Sequence, residues 1–305
     1  MAEKSKIGLI GLGAMGLPMG RRLLENGFQL VVAPHVNRAP ADELAGKGAE
    51  VVSSPSELAA KCRLVITSVP DVPQVEDALF GAMGLAAGPG TEGLVYVDMS
   101  TITPKAARDF ASRLQGRGVE SLDAPVSGGP VRAADGTLTI MVGGKPEVVE
   151  QARPVLEKLG KHVVHVGDTG AGQAVKLANQ LMISIVMIAN AEALSLGVKS
   201  GVPLETLLEV IGTSSGSNYL MQSWLPKTLF SGDLSGGFAL DLLAKDLNAA
   251  LASAKDLGVP VFAGAQAQQL YALAQARGDG RLDYSVVARL YEETTHAELR
   301  TEKTT

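Results

Sequence analysis

Three glycines, at 11, 13 and 16, stand where the apolar run Lys6-Ile7-Gly8-Leu9-Ile10 gives way to helical spacing over Met15 to Asn26. A GxGxxG string between strand and helix suits phosphate chemistry. Gly11 permits the tight turn, Gly13 brings backbone to a pyrophosphate with no Cβ between them, and Gly16 lets the helix pack close on the strand. The helix N-terminus adds N–H groups and a partial positive charge. Residues Gly11, Leu12, Gly13, Ala14, Met15 and Gly16 are therefore the candidate dinucleotide cradle.

A second glycine-rich approach, Gly167-Asp168-Thr169-Gly170-Ala171-Gly172, runs into Lys176, Asn179 and Gln180. Spacings of three and four place these three side chains on one helical face, an amine beside two amides able to hold a substrate oxygen. A third segment, Asp123-Ala124-Pro125-Val126-Ser127-Gly128-Gly129-Pro130, offers a hydroxyl and successive N–H groups that could nest a carboxylate. The same residues also make an ordinary surface turn.

The elements that must position these groups alternate in type up to about residue 168. Strands are expected at 6–10, 29–33, 49–52, 64–68, 94–98, 119–122, 138–142 and 162–166, with amphipathic helices between them. Ser54-Pro55-Ser56-Glu57 reads as a capping box, and Thr103-Pro104 as a second helix start. Beyond Gly172 strand runs vanish. A helix of about 26 residues, about 39 Å long, is expected from Ala174 to Lys199, followed by helices at 203–213, 217–230, 238–257, 261–277 and 283–297. The fold class is thus α/β: a Rossmann-type doubly wound sheet over 1–168, then an all-α domain over 169–305, joined by a long inter-domain helix. A cleft between two dissimilar domains is where a small-molecule site is expected.

Composition narrows the partners. The 305 residues are 46% hydrophobic with a net charge of −5 and no basic cluster, which argues against nucleic acid and anionic membranes. The apolar stretch Leu181 to Ala189 is too short to span a bilayer. The single cysteine, Cys62, allows no internal disulfide, and neither cysteine nor the four histidines show metal-ligand spacing. No metal, a reducing cytoplasmic setting without a secretory signal, and a homodimer or homotetramer are the expectations.

From about Lys6 to Glu293 the chain resembles the β-hydroxyacid dehydrogenase family. The likeness rests on Gly11-Leu-Gly-Ala-Met-Gly16, on Asp123-Ala-Pro-Val-Ser-Gly-Gly129 with Ala133 and Gly136, on Gly167-Asp-Thr-Gly-Ala-Gly-Gln-Ala-Val-Lys176, and on Gly237-Phe238 with Lys245-Asp246. The resemblance implies nicotinamide-dependent interconversion of a 3-hydroxyacid and its semialdehyde or ketoacid, with Lys176 as general acid/base. It further implies that Ser127, Gly128 and Gly129 bind the substrate carboxylate, that Val69, Pro70 and Thr101 border the cofactor, and that Lys245 reaches it. Phe238 and Asp246 would line the site, against the plainer alternative of a core aromatic and a solvated acid. The chemistry asks for such an amine: as hydride leaves the alcohol carbon, the hydroxyl proton needs a base. A free lysine, with a pKa of about 10.4, is nearly all protonated at neutral pH, and burial or a nearby cation favours the neutral form.

Two departures stand out. Relatives often carry asparagine four residues after the lysine, whereas this chain has Gln180 there and Asn179 before it, so either amide could hold the substrate. After the second strand the chain reads Val32-Ala33-Pro34-His35-Val36-Asn37-Arg38, with no carboxylate at the strand end. An adenosine 2′-phosphate would meet Arg38, beside Asn37 and with His35 in reach, which favours NADP(H) over NAD(H).

Overall fold

The computed structural model describes residues 6–34 and 37–301. The chain divides into two units, one ending at Lys176 and the other starting at Leu177.

The first unit is built on strands β1 (Ile7–Ile10), β2 (Leu30–Ala33), β3 (Glu50–Val51), β4 (Leu64–Thr67), β5 (Val95–Asp98), β6 (Glu120–Asp123), β7 (Val126–Ser127), β8 (Leu138–Gly143) and β9 (Gly160–Gly167). They form one sheet in the order β3-β2-β1-β4-β5-β6-β8-β7, with β9 also on β8. Pairing from β3 through β6 is parallel, whereas β8 runs antiparallel to β6 and β7. The central strands have both faces buried, as a parallel sheet requires. Ile7, Leu9, Leu30, Val32, Leu64, Ile66, Val95 and Val97 enter one core, and Ile10, Val31, Ala33, Val65 and Tyr96 the other. Helices α1 (Gly16–Glu25), α2 (Ala39–Ala45), α6 (Gly129–Asp135) and α7 (Pro146–Leu159) cover the first face. On the second face lie α3 (Pro55–Lys61), α4 (Val72–Phe80) and α5 (Pro104–Gln115).

Helix α8 (Ala171–Lys199) begins in the first unit and continues through the second. There α9 (Leu204–Gly212), α10 (Leu240–Leu257), α11 (Phe262–Ala276) and α12 (Arg289–Thr295) follow. Met187, Ala191 and Leu194 of α8 join Leu240, Leu243, Leu247 and Tyr271 in the core of this unit.

Several expectations need correction. The single helix expected at 217–230 is a π-helix over Leu220–Trp224 followed by a 3₁₀ turn over Leu225–Lys227. Pro226 has no N–H to continue an α-ladder there. The helix expected at 283–297 is a 3₁₀ segment, Tyr284–Ala288, capped by the Asp283 carboxylate accepting the Ser285 N–H and leading into α12. The expected box at Ser54 is displaced by one residue: Glu57 Oε1 accepts the N–H of Ser53 at 3.2 Å, and Ser54 makes no cap. Thr103 does cap, accepting the Ala106 N–H at 3.2 Å. The two-residue strand β7 and the helix starting at Gly129 were not foreseen in the SGGP segment.

Candidate active site

Within the first unit the glycine turn closes as its sequence demands. Gly11 has φ +90°, and a Cβ there would lie 2.2 Å from the Ser68 carbonyl oxygen. A Cβ on Gly16 would lie 1.7 Å from the Gly11 oxygen, so α1 starts in direct contact with the strand it leaves. At Gly13 nothing lies within 4 Å of that position. The first turn of α1 holds no acid, and Met15, its cap, makes no side-chain bond. The result is an open backbone surface at an uncapped helix N-terminus, which fits a dinucleotide pyrophosphate. Leu12 and Met15 pack inward on the core, leaving Ala14 exposed.

The neighbouring strand ends lie at the same edge. Val69 donates its N–H to Ser100 Oγ at 3.0 Å, and its side chain abuts Gly11; Pro70 follows it, and Thr101, half-buried, follows Ser100. After β2, Asn37 Oδ1 accepts the Ala39 N–H, and Arg38 Nε donates to Asp42 Oδ1 at 3.1 Å. Asp42 is a carboxylate that the strand-end reading did not weigh. His35 lies outside the described residues.

Ser127 ends β7 opposite Thr139. Gly128 and Gly129 follow with φ +137° and +70°, a backbone path that L side chains rarely adopt. A Cβ on Gly128 would meet the Arg132 side chain, whereas none would meet anything within 4 Å at Gly129. Lys176 is 7% exposed. Its helix is anchored by Asp123, whose Oδ1 accepts the Gly170 N–H at 2.6 Å and whose Oδ2 accepts the Gln173 N–H at 2.9 Å. Burial pushes the Asp123 carboxyl up, against the pull of those N–H groups.

In the second unit the two amides join a buried chain. Asn179 Nδ2 donates to Gln180 Oε1 at 3.1 Å, Gln180 Nε2 donates to Asp246 Oδ2 at 2.6 Å, and Lys245 Nζ pairs with Asp246 Oδ1 at 2.7 Å. Asp246 is 2% exposed, so it is not a solvated acid. Gln180 is equally buried and engaged at both ends of its amide, while Asn179 is half-buried. Phe238 packs on the core of this unit, its ring edge-on to Tyr284 at 6.4 Å and its N–H held by Asp283 Oδ2 at 3.0 Å. Asp283 also accepts from Trp224 Nε1 and the Ser285 N–H.

Sequence reading missed three buried groups: Asp123, Gln173 and Asp283. Asp123 stood inside a quoted motif, and Gln173 three residues before Lys176, but their partners lie far away in sequence. Among the described residues no group of three His, Cys, Asp or Glu could hold a metal ion.

Residues 6–167 match the family model described as the NAD binding domain of 6-phosphogluconate dehydrogenase. Residues 170–291 match that described as NAD-binding of NADP-dependent 3-hydroxyisobutyrate dehydrogenase. The chain is 42% identical to the 2-(hydroxymethyl)glutarate dehydrogenase of Eubacterium barkeri over 97% of each chain. It is 38% identical to an NAD-dependent L-serine dehydrogenase of Pseudomonas aeruginosa, covering 95% of this chain and 98% of the relative. The solved structure of Mycobacterium tuberculosis 3-hydroxyisobutyrate dehydrogenase with L-serine superposes with a TM-score of 0.87 at 32% identity, covering 94% of this chain and 99% of that one. Kinship along almost the full length, on a sheet whose glycine turn is shaped for a dinucleotide, makes the chain a member of the β-hydroxyacid dehydrogenase family: a nicotinamide-dependent oxidoreductase of hydroxyacids.

Proposed function

We propose that the chain interconverts a small 3-hydroxyacid, of the 3-hydroxyisobutyrate type, and its semialdehyde, with Lys176 as the general acid/base. The observation that carries this reading is the burial of Lys176 on α8, on the same helical face as Asn179 and Gln180. Lysine is almost never fully buried unless it is paired, so its burial here marks a built environment and not a solvated surface amine. The relatives' named substrates, 2-(hydroxymethyl)glutarate, serine and 3-hydroxyisobutyrate, share a hydroxymethyl group on the carbon that bears a carboxylate. Reduction of tartronate or succinic semialdehyde is the neighbouring alternative within the same chemistry.

With its pyrophosphate held at the glycine turn, a dinucleotide would supply its nicotinamide as the hydride acceptor. Lys176 takes the hydroxyl proton in oxidation and returns it in reduction. In this reading Asn179, half-buried and bonded to Gln180, is the amide offered to the substrate oxygen, and Gln180, bonded to Asp246, orients it. Ser127, Gly128 and Gly129 receive the carboxylate through the hydroxyl and backbone N–H groups. Lys176→Ala should lower kcat by about 10²–10⁴-fold, the range of general acid–base catalysis, with cofactor affinity nearly intact. Turnover like the parent's in that variant would sink the assignment.

NADP(H) is the favoured cofactor in this reading. The exposed Arg38–Asp42 pair is a surface contact worth about 0–1 kcal/mol, which a bidentate phosphate can outbid. Initial rates with NADPH should exceed those with NADH at equal subsaturating concentration, and Asp42→Asn should widen the gap. An NADH preference in the parent refutes it. The reading extends to assembly, with the exposed stripe Met182, Ala189 and Leu196 of α8 meeting a second copy of the chain.

A further inference from the structure

The groups that fix the start of α8 lie in strands and loops far from it in sequence. A helix start leaves N–H groups without intrahelical partners, and a local Ser, Thr or Asp usually supplies one acceptor. Here the acceptors are the two oxygens of Asp123, 47 and 50 residues away at the end of β6. Gln173, fully buried in the same first turn, makes a second fastening. Its Oε1 accepts the Ile102 N–H at 3.1 Å and its Nε2 donates to the Ser100 carbonyl at 2.9 Å. The packing leaves no slack: a Cβ on Gly172 would lie 2.3 Å from the Met141 oxygen, and one on Gly143 would lie 2.6 Å from Asp123 Oδ1. Lys176 follows Gln173 by three residues, nearly one turn along.

Stability alone does not call for this arrangement. An uncharged cap gives a helix about 1 kcal/mol without burying a carboxylate, and burial works against the charge of Asp123. What a carboxylate adds is simultaneous capture of two N–H groups, which fixes the axial position and the rotation of the helix. It also fills an N-terminus that would otherwise attract anions.

We propose that Asp123 and Gln173 are positioning residues for the acid/base amine, clamping the first turn of α8 to the ends of β6 and β5 so that Lys176 emerges at one height and angle. The proposal rests on the reading of Lys176 given above. Asp123→Asn keeps the shape but turns an NH₂ toward one of the two N–H donors; Gln173→Glu keeps acceptance from Ile102 and loses the donation to Ser100. In both variants kcat should fall about 10–100-fold, the scale of a small misplacement at a reacting centre. The pH midpoint of kcat/KM should move by about half a unit or more, while cofactor Kd, read by protein fluorescence, stays within about twofold. Should Asp123→Asn fail to fold, Gln173→Glu carries the test. Parental kcat with a parental pH profile overturns the proposal, as does a loss of kcat matched by an equal loss of cofactor affinity. Parental turnover in Lys176→Ala would instead overturn the acid/base reading, which separates the two failures.

Discussion

Asp98, at the end of β5, has one oxygen in use and one without a partner. Oδ1 accepts from Thr67 Oγ1 at 2.9 Å and from the Ser100 N–H at 3.0 Å, and the fully buried Oδ2 has no hydrogen bond. Burial pushes its carboxyl up to about 6, outweighing the bonds from Ser100 and Thr67 that pull it down, and the Asp123 charge adds to the rise. An unfolded aspartate titrates near 3.9. Between about pH 4 and pH 6 the folded chain therefore keeps a proton that the unfolded chain has released. The stability this contributes is complete below about pH 4 and is lost as pH rises through about 6. A gap of about two units corresponds to on the order of 3 kcal/mol. Asp98→Asn removes the titration, so its unfolding free energy relative to the parent should improve by on the order of 2 kcal/mol between pH 4.5 and pH 7.5. Denaturant titrations at both pH values check this, and a constant difference would sink it.

At the scale of elements, the β1–α1 turn separates two glycines that look alike in sequence. Gly16 is a packing glycine: a methyl group there collides with the Gly11 carbonyl, and relief requires α1 to back away from the sheet. Gly16→Ala should destabilise by about 1–3 kcal/mol, the usual range for overpacking, and weaken the cofactor with it. Gly13 faces open space. Gly13→Ala should leave the melting temperature within about 1 °C, a few tenths of a kcal/mol, yet raise the cofactor Kd about tenfold or more, because the new methyl would stand where the turn's open backbone would meet a pyrophosphate. Calorimetry and cofactor titration on the two variants test the division, and equal losses in both would contradict it. This turn was legible because its logic is local: strand, glycines, helix. The strand expected at 29–33 was legible for the same reason and forms as Leu30–Ala33. What escaped was non-local. The Gln180–Asp246 bond joins residues 66 apart and the Asp123 clamp residues 47 and 50 apart, so no periodicity records them. Between 217 and 230, helical spacing suggested a single helix, but Pro226 and the competing π and 3₁₀ bonds divide it.

At the scale of the whole molecule, α8 poses a question of surroundings. Its 29 residues, with a mean hydropathy of 1.9 over its most apolar stretch, are long and apolar enough by composition to cross a membrane. Its buried side chains argue for protein instead: Gln173, Lys176, Gln180, Ser184 and Asn190 are polar, the Ser184 hydroxyl donates to the Gln180 carbonyl, and the Tyr271 hydroxyl donates to the Ser184 carbonyl. Lipid would offer such groups no partners. Among its exposed side chains, which include Glu192 and Ala193, the apolar Met182, Ala189 and Leu196 recur every seven residues, with Met182 at 65% and Leu196 at 71% exposure. Seven-residue spacing of apolar groups is what a helix presents to another helix. A symmetric partner covering this stripe and its surroundings would need to remove about 800 Å² per copy. Light scattering should therefore give the parent a mass at least twice its 31.5 kDa. Met182→Glu with Leu196→Glu places two charges on each side of that contact and should return the chain to 31.5 kDa while leaving the fold, read by circular dichroism, unchanged. A monomeric parent, a double variant that keeps the assembled mass, or partition of the parent into a detergent phase would each show that a second copy is not what covers this face.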